Sequence, residues 1–91
     1  MSTRLHVYFS GHVQGVGFRY AVRTVSLEFD VTGWVKNLSD GRVEMMSEGE
    51  QSELEAFQTA IPNAGLGRFI RDTQAQWSEG TGEFRGFEIA R

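Results

Sequence analysis

Apolar and polar residues alternate near the start of the chain and then recur with helical spacing. Over residues 4–10, Leu5, Val7 and Phe9 fall on one side of an extended chain, which predicts a strand with one buried face. From residue 18 to residue 29, apolar side chains return every three or four positions, the period of an amphipathic helix. The apolar positions of this helix are Phe18, Ala21, Val22, Val25 and Phe29.

The middle of the chain predicts a β-hairpin followed by a second helix. Residues 33–37 and 42–46 have strand character, and the Ser-Asp-Gly sequence at residues 39–41 is a strong turn signal. The second helix ends at Pro62, and residues 63–67 predict a mobile loop. The apolar positions of the second helix are Leu54, Phe57, Ala60 and Ile61.

The last third of the chain predicts two further strands. Residues 70–77 form a polar strand pattern with Thr73, Ala75 and Trp77 on one face, and we expect Trp77 to pack. After a turn, residues 87–89 alternate as a short C-terminal strand. The elements follow the order β-α-β-β-α-β with one added strand, which is the split βαβ arrangement of ferredoxin-like folds.

This order predicts the architecture of an α+β sandwich. Two helices would cover one face of an antiparallel sheet and leave its other face partly open. Ninety-one residues suffice for one modest core, so we expect a single domain over residues 1–91.

The composition excludes several classes of chemistry. The chain has no cysteine and only two histidines, His6 and His12, which rules out thiolate chemistry and leaves little for a metal site. Its net charge of −3 argues against nucleic acid as the main partner. No apolar run is long enough to span a membrane and no secretory signal precedes the first strand, so we expect a cytoplasmic protein.

The stretch from Gly11 to Arg19 is the first candidate site. Its three glycines permit backbone turns that other residues resist, and successive N–H groups can then face one concavity where a helix begins. Arg19 follows with no carboxylate near it in sequence, an arrangement suited to phosphate. The stretch lacks the lysine of a Walker loop and the spacing of a dinucleotide loop. Alternatively, the glycines only form turns and Arg19 is a solvated helix residue.

Asn37 is the second candidate. In this fold order the end of the second strand can approach the loop that follows the first strand. The side-chain amide of Asn37 can both donate and accept a hydrogen bond, so it could hold a water in line with a bound phosphorus atom. The alternative is that Asn37 only begins the hairpin turn, where asparagine is common.

Together these two motifs resemble the acylphosphatase family. The resemblance rests on residues 13–19, 33–37 and 40–44, which follow one another in the family's order and spacing. Residues 82–89 are similar to the family's C-terminal segment, so the resemblance covers essentially the whole chain.

The resemblance implies an enzyme that hydrolyses the carboxyl–phosphate bond of acyl phosphates to a carboxylate and inorganic phosphate. It implies that Arg19 binds the phosphate, that Asn37 orients the water, and that the reaction uses no metal and no other cofactor. Backbone N–H groups would hold the remaining phosphate oxygens. These groups belong to Gln14, Gly15, Val16, Gly17 and Phe18. The implied state is a monomer whose only partners are small molecules.

Two other functions compete with this one. An acylphosphatase-like module could bind acyl or carbamoyl phosphate without efficient turnover, and similar domains occur at the N-terminus of larger hydrogenase-maturation proteins. RNA-recognition motifs share the element order, but they carry stacking aromatics on the third strand, and residues 43–46 contain none. A single domain with Arg19 and Asn37 both intact favours the enzyme.

Overall fold

The computed structural model describes residues 2–91. Met1, which precedes the first predicted strand, lies outside the described residues. The described chain forms five strands and two principal helices, joined by short turns. In chain order these are β1 (Thr3–Gly11), α1 (Phe18–Ser26), β2 (Val31–Asn37), β3 (Val43–Gly49), α2 (Gln51–Ile61), β4 (Ile70–Glu79) and β5 (Phe87–Ile89). No helix in this part of the chain is long and apolar enough to cross a membrane.

The strands form one sheet in the order β4-β1-β3-β2-β5. β1 pairs antiparallel with both β3 and β4, and β2 pairs antiparallel with β3. The short β5 runs parallel to β2, so the prediction of an antiparallel sheet is wrong at this edge. The reason is that after β4 the chain crosses the end of the sheet to the far edge and re-enters beside β2 in the same direction. The C-terminal ends of β1, β2 and β5 therefore lie at the same end of the sheet.

A buried carboxylate holds the crossing segment, residues 80–86, to the sheet. Glu48 is only 2% exposed and accepts hydrogen bonds from the backbone amides of Thr81 and Gly82 and from the Nε of Arg4, at 2.7–3.1 Å. Burial by itself raises the pKa of Glu48, but these hydrogen bonds outweigh it and hold the pKa below its ordinary value. The network fixes the path that brings β5 to β2.

Apolar and polar residues alternate along the strands, and the apolar side chains form the core, as the sequence pattern predicts. Leu5, Val7 and Phe9 of β1 are at most 2% exposed, and they join one apolar cluster with both helices. The buried apolar residues of the helices are Phe18, Val22, Val25, Leu54, Phe57 and Ile61. Both helices therefore cover one face of the sheet, and the ferredoxin-like α+β sandwich is confirmed.

Two local boundaries differ from the prediction. α1 ends at Ser26, because the amides of residues 27–29 bond to carbonyls three positions earlier and tighten the last turn. Phe29 still packs on Phe57, with ring centroids 5.9 Å apart, which explains why its position fits the helical period. Residues 63–67, predicted as a loop, form a compact kinked connection between α2 and β4, in which Ala64 and Gly65 have non-helical backbone angles and Leu66 is buried.

β4 is the least buried strand. Every residue from position 71 to position 79 is exposed, and Trp77 is 41% exposed, so the prediction that Trp77 packs is wrong. Its register opposite Leu5 puts Trp77 on the helix side of the sheet. However, β4 is an edge strand, and the helices pack over β1, β3, β2 and β5. The polar sequence of β4 follows from this exposure.

Candidate active site

The loop that follows β1 begins where β1 and β4 approach closely. At Gly11, whose φ is 126°, an added Cβ would lie 2.4 Å from the carbonyl oxygen of Phe69, so a larger residue does not fit there. The register of β1 on β4 shifts between Ser10 and Gly11. The amide of His12 then donates to the Phe69 carbonyl at 2.8 Å. The start of the loop is therefore fixed to the sheet.

Two further glycines lead the loop into α1. Gly15 and Gly17 have φ values of 77° and 78°, in the left-handed region that favours glycine. α1 begins directly after Gly17, with no side-chain cap and no acidic residue in its first turn. Within residues 2–91, no backbone carbonyl or side chain accepts a hydrogen bond from the amides of residues 14–18. These donors lie at the positive end of a helix dipole and are available to an anion.

Arg19 and Asn37 meet this loop in one pocket. The pocket has a volume of about 110 Å³ and is bordered by the loop, the first turn of α1 and the end of β2. We call it the loop pocket. Its lining residues are Val13, Gly15, Gly17, Phe18, Arg19, Tyr20 and Asn37. Gln14 and Val16, also predicted as site residues, are not among them.

The guanidinium of Arg19 is tied to the tail of the chain. Its Nη1 donates to the carbonyl oxygen of Ala90 at 3.3 Å, and the amide of Ala90 donates to the carbonyl of Val35 at 2.8 Å. No carboxylate of the described residues lies within ion-pairing distance of Arg19. The positive charge at the loop pocket is therefore not neutralised by a neighbouring acid.

Gln14 acts on the site from outside the loop pocket. Its side-chain amide donates to the carbonyl oxygen of Leu38 at 2.7 Å and to that of Arg42 at 2.9 Å. Both carbonyls belong to the connection between β2 and β3, which begins directly after Asn37. The side chain of Gln14 therefore joins the loop to the strand end that carries Asn37. No local sequence signal reveals this contact, because the partners lie 24 and 28 positions away.

A wider pocket of about 400 Å³ opens beside the loop pocket and shares Arg19 and Tyr20 with it. Ile89 and Arg91 line the rest, and we call this the rim pocket. Tyr20 is 73% exposed, so its ring stands at the boundary between the two pockets. The C-terminal residues 89–91 reach the rim pocket because β5 runs parallel to β2. Sequence reasoning did not identify these rim residues, since nothing local links the tail to α1.

The histidines and Lys36 lie away from the loop pocket. On the open face of the sheet, His6 Nε2 is 2.6 Å from Glu44 Oε2, and Lys36 Nζ is 3.8 Å from Glu44 Oε1. His12 lines a different pocket, beside β4. Among residues 2–91, no group of three or more histidine, aspartate or glutamate side chains is placed to hold a metal ion.

The fold and the pocket together define a ferredoxin-like α+β domain in which an arginine, an asparagine and a glycine-rich loop share one pocket. The family model of acylphosphatase matches residues 5–89. The chain is also 42% identical over 86 residues to an acylphosphatase of Roseiflexus sp. (strain RS-1), covering 94% of this chain and 92% of that relative. The chain belongs to the acylphosphatase family, which places it among enzymes and confirms the family predicted from its two motifs.

Solved structures agree with this assignment. The acylphosphatase from Bacillus subtilis is 32% identical, with a TM-score of 0.87, and the match covers 98% of this chain and 99% of that one. HypF from T. kodakarensis is 29% identical, with a TM-score of 0.83, and the match covers 98% of this chain but 12% of HypF. The same domain fold therefore forms nearly all of one protein and a small part of another.

Proposed function

We propose that this chain hydrolyses the carboxyl–phosphate bond of acyl phosphates and releases a carboxylate and inorganic phosphate. The observation that carries the proposal is the meeting of Arg19, Asn37 and the glycine-rich loop in one pocket of about 110 Å³. Membership of the acylphosphatase family supports the same reaction. Because Arg19, Asn37 and the glycine-rich loop meet within one chain, we propose that a monomer carries the site.

Arg19 and the loop amides would hold the phosphoryl group. A guanidinium is a planar fork that engages two phosphate oxygens and stays charged throughout the reaction. The amides of residues 14–18 have no acceptor in the described chain, and those of Gly15, Gly17 and Phe18, which line the loop pocket, would take the remaining oxygens. Charge redistributes over these oxygens in the transition state, and donors that are already oriented stabilise it without reorganisation.

Asn37 would place the attacking water. Its side-chain carbonyl oxygen can accept a hydrogen bond from the water and so direct a lone pair of the water toward phosphorus. The bond from the water oxygen to phosphorus forms as the bond from phosphorus to the carboxyl oxygen breaks. The leaving carboxylate needs no proton, and the water proton passes to a phosphate oxygen. Because phosphoryl transfer has a loose transition state, this step requires positioning more than a general base.

The acyl group would extend from the loop pocket into the rim pocket. The two pockets share Arg19 and Tyr20, so a group attached to the bound phosphate can pass between them. There it would meet the ring of Tyr20 and the aliphatic side chain of Ile89. Tyr20 and Ile89 suit an apolar or aromatic part of the acyl group, and Arg91, which also lines the rim pocket, suits a polar or negatively charged part.

The alternative is a domain that binds acyl or carbamoyl phosphate without efficient turnover. The similarity of the chain to one part of the larger protein HypF supports this alternative. The presence of Asn37 in the loop pocket favours hydrolysis, because a group that orients water is not needed in a domain that only binds.

The test is hydrolysis of benzoyl phosphate by the purified chain in excess chelator. We expect turnover by the parent, and a loss of kcat/KM of ~100-fold or more in both Arg19→Gln and Asn37→Ala, the scale of removing one oriented electrostatic group. Arg23→Gln, an exposed arginine one turn further along α1, controls for the lost charge and should retain most of the activity. Arg19→Gln should also weaken the binding of inorganic phosphate, whereas Asn37→Ala should not.

Three results would count against the proposal. Turnover that survives both substitutions would contradict the assigned roles. Phosphate binding without turnover by the parent would favour the binding domain. Activity that is lost in chelator and restored by a divalent cation would contradict a metal-independent reaction.

A further inference from the structure

A third pocket, of about 310 Å³, lies beside the start of the loop and is lined by basic side chains. Its lining residues are Gly11, His12, Arg68, Phe69, Ile70 and Arg71. No carboxylate lines it, and none of the described residues places a carboxylate within ion-pairing distance of Arg68 or Arg71. We call it the basic pocket. It shares no residue with the loop pocket.

The backbone holds the walls of the basic pocket in place. The close approach at Gly11 and the hydrogen bond from the His12 amide to the Phe69 carbonyl join the segment that carries His12 to the segment that carries Arg68 and Arg71. The guanidinium carbon of Arg68 lies 4.7 Å from the centroid of the Phe69 ring, a stacking distance for a cation over an aromatic face. Phe69 itself packs against the hydrophobic core. The fold therefore positions the backbone that carries the three basic side chains, and the stack on Phe69 orients Arg68.

The charge of this pocket contrasts with that of the whole chain. The protein has a net charge of −3, yet two guanidiniums and an imidazole border one cavity with no acid among them. Cations held together without a counter-charge repel one another, and a bound anion would relieve that repulsion. Guanidinium forks match the oxygen geometry of phosphate better than they match a monovalent, spherical ion.

We propose that the basic pocket is a second anion site, which binds a phosphate or phosphomonoester group between His12, Arg68 and Arg71. The cavity is larger than the loop pocket, about 310 Å³ against about 110 Å³, so it has room for part of an organic group attached to the phosphate. Because the basic pocket shares no lining residue with the loop pocket, its occupancy can be measured without any turnover.

Titration of the ¹⁵N-labelled protein with inorganic phosphate, followed by amide chemical shifts, tests the proposal. We expect the amides of His12, Ile70 and Arg71 to shift along one saturable curve. The amides of Gly15 and Gly17 in the loop pocket should follow a second curve with a different Kd. Arg68→Gln combined with Arg71→Gln should weaken the first curve by ~10-fold or more, the loss expected for two charge-assisted contacts, and leave the second in place.

Arg23→Gln combined with Arg85→Gln is the matched control, because it removes the same charge from two exposed arginines outside the basic pocket. This control should leave the first curve unchanged. The absence of a saturable shift at His12 in the parent would overturn the proposal. An equal weakening in the control pair would also overturn it, since it would reveal only a response to net charge. If only the amides of Gly15 and Gly17 show no chemical-shift change, the result would instead count against the phosphate-binding role of the loop.

The anion could be a separate phosphate compound or a second phosphate group on the substrate itself. Steady-state kinetics of the Arg68→Gln/Arg71→Gln variant distinguish these sources. A rise in KM confined to an acyl phosphate that carries a second phosphate group, with benzoyl phosphate unaffected, would identify the substrate as the occupant. An unchanged KM for both compounds, together with weakened phosphate binding, would identify a separate phosphate compound.

Discussion

The side-chain amide of Gln14 donates to the carbonyl oxygen of Leu38 at 2.7 Å, which joins the glycine-rich loop to the residue that follows Asn37. The two halves of the loop pocket come from separate elements, α1 with its preceding loop and the end of β2. A second bond from Gln14 to Arg42, at 2.9 Å, spans the same connection from its other side. The distance between Arg19 and Asn37 therefore depends on a residue that does not line the loop pocket.

We predict that Gln14→Ala lowers kcat by ~10-fold, because a small displacement of Asn37, the residue proposed to orient water, is costly in phosphoryl transfer. The effect should vanish in an Asn37→Ala background, where there is no oriented water left to misplace. A double-mutant cycle on kcat measures this, with Gln74→Ala on the exposed strand β4 as the control. An equal loss in both backgrounds would show that Gln14 does not act by positioning Asn37.

The backbone turn at Gly17 is expected to matter for chemistry more than for stability. Gly17→Ala introduces a Cβ at a φ of 78° into open space, so it should cost about 1 kcal/mol of unfolding free energy through backbone strain. Gly65→Ala has nearly the same geometry, with a φ of 85° and no neighbouring atom, but lies outside the loop pocket. Urea unfolding should show similar losses for both variants, while only Gly17→Ala lowers kcat/KM, by ~10-fold or more. Equal kcat/KM values for Gly17→Ala and Gly65→Ala would contradict the role of the loop backbone.

Tyr20 is expected to select the acyl group. Tyr20→Ala should raise the KM for benzoyl phosphate by ~3- to 10-fold, the range of one aromatic contact, with a smaller change for acetyl phosphate. Leu27→Ala is the control, because Leu27 is similarly exposed at the other end of α1. Steady-state kinetics with both substrates measure the difference. A uniform rise in KM for the two substrates would mean that Tyr20 acts on the phosphate and not on the acyl group.

Glu48 should make the stability of the fold depend on pH. Its pKa in the folded protein lies below its ordinary value of about 4.5, because the hydrogen bonds from Thr81, Gly82 and Arg4 outweigh the effect of burial. The ionised form therefore stabilises the fold above the unfolded pKa, and this contribution is lost as pH falls through the lowered, folded pKa.

We predict that Glu48→Gln reduces the unfolding free energy at about pH 7 by about 2 kcal/mol, the cost of breaking a buried charge-assisted network. The gap between parent and variant should narrow as the pH falls below about 4.5, because protonation then removes the same contribution from the parent. Urea unfolding over this pH range measures the gap, with the exposed Glu28→Gln as control. A gap that stays constant down to about pH 3 would contradict the role of the Glu48 charge.

Much of the fold and of the loop pocket can be predicted from local patterns. Alternation at Leu5, Val7 and Phe9 predicts the buried face of β1, and these side chains are in the core. The glycines of the loop predict positive φ, which the backbone adopts at Gly15 and Gly17. Such features depend on a few consecutive residues, so their physical cause is present in a short stretch of chain.

Other features depended on the tertiary structure. The parallel pairing of β5 with β2 brings Ala90 to Arg19, and the exposure of Trp77 follows from the edge position of β4. Sequence by itself determined which faces are apolar, where the chain turns, and that an arginine and an asparagine stand at the ends of two elements. Only the tertiary structure decided which distant ends meet, because strand order and the contacts of Gln14 arise from packing between segments far apart in the chain. Local periodicity carries no information about those partners.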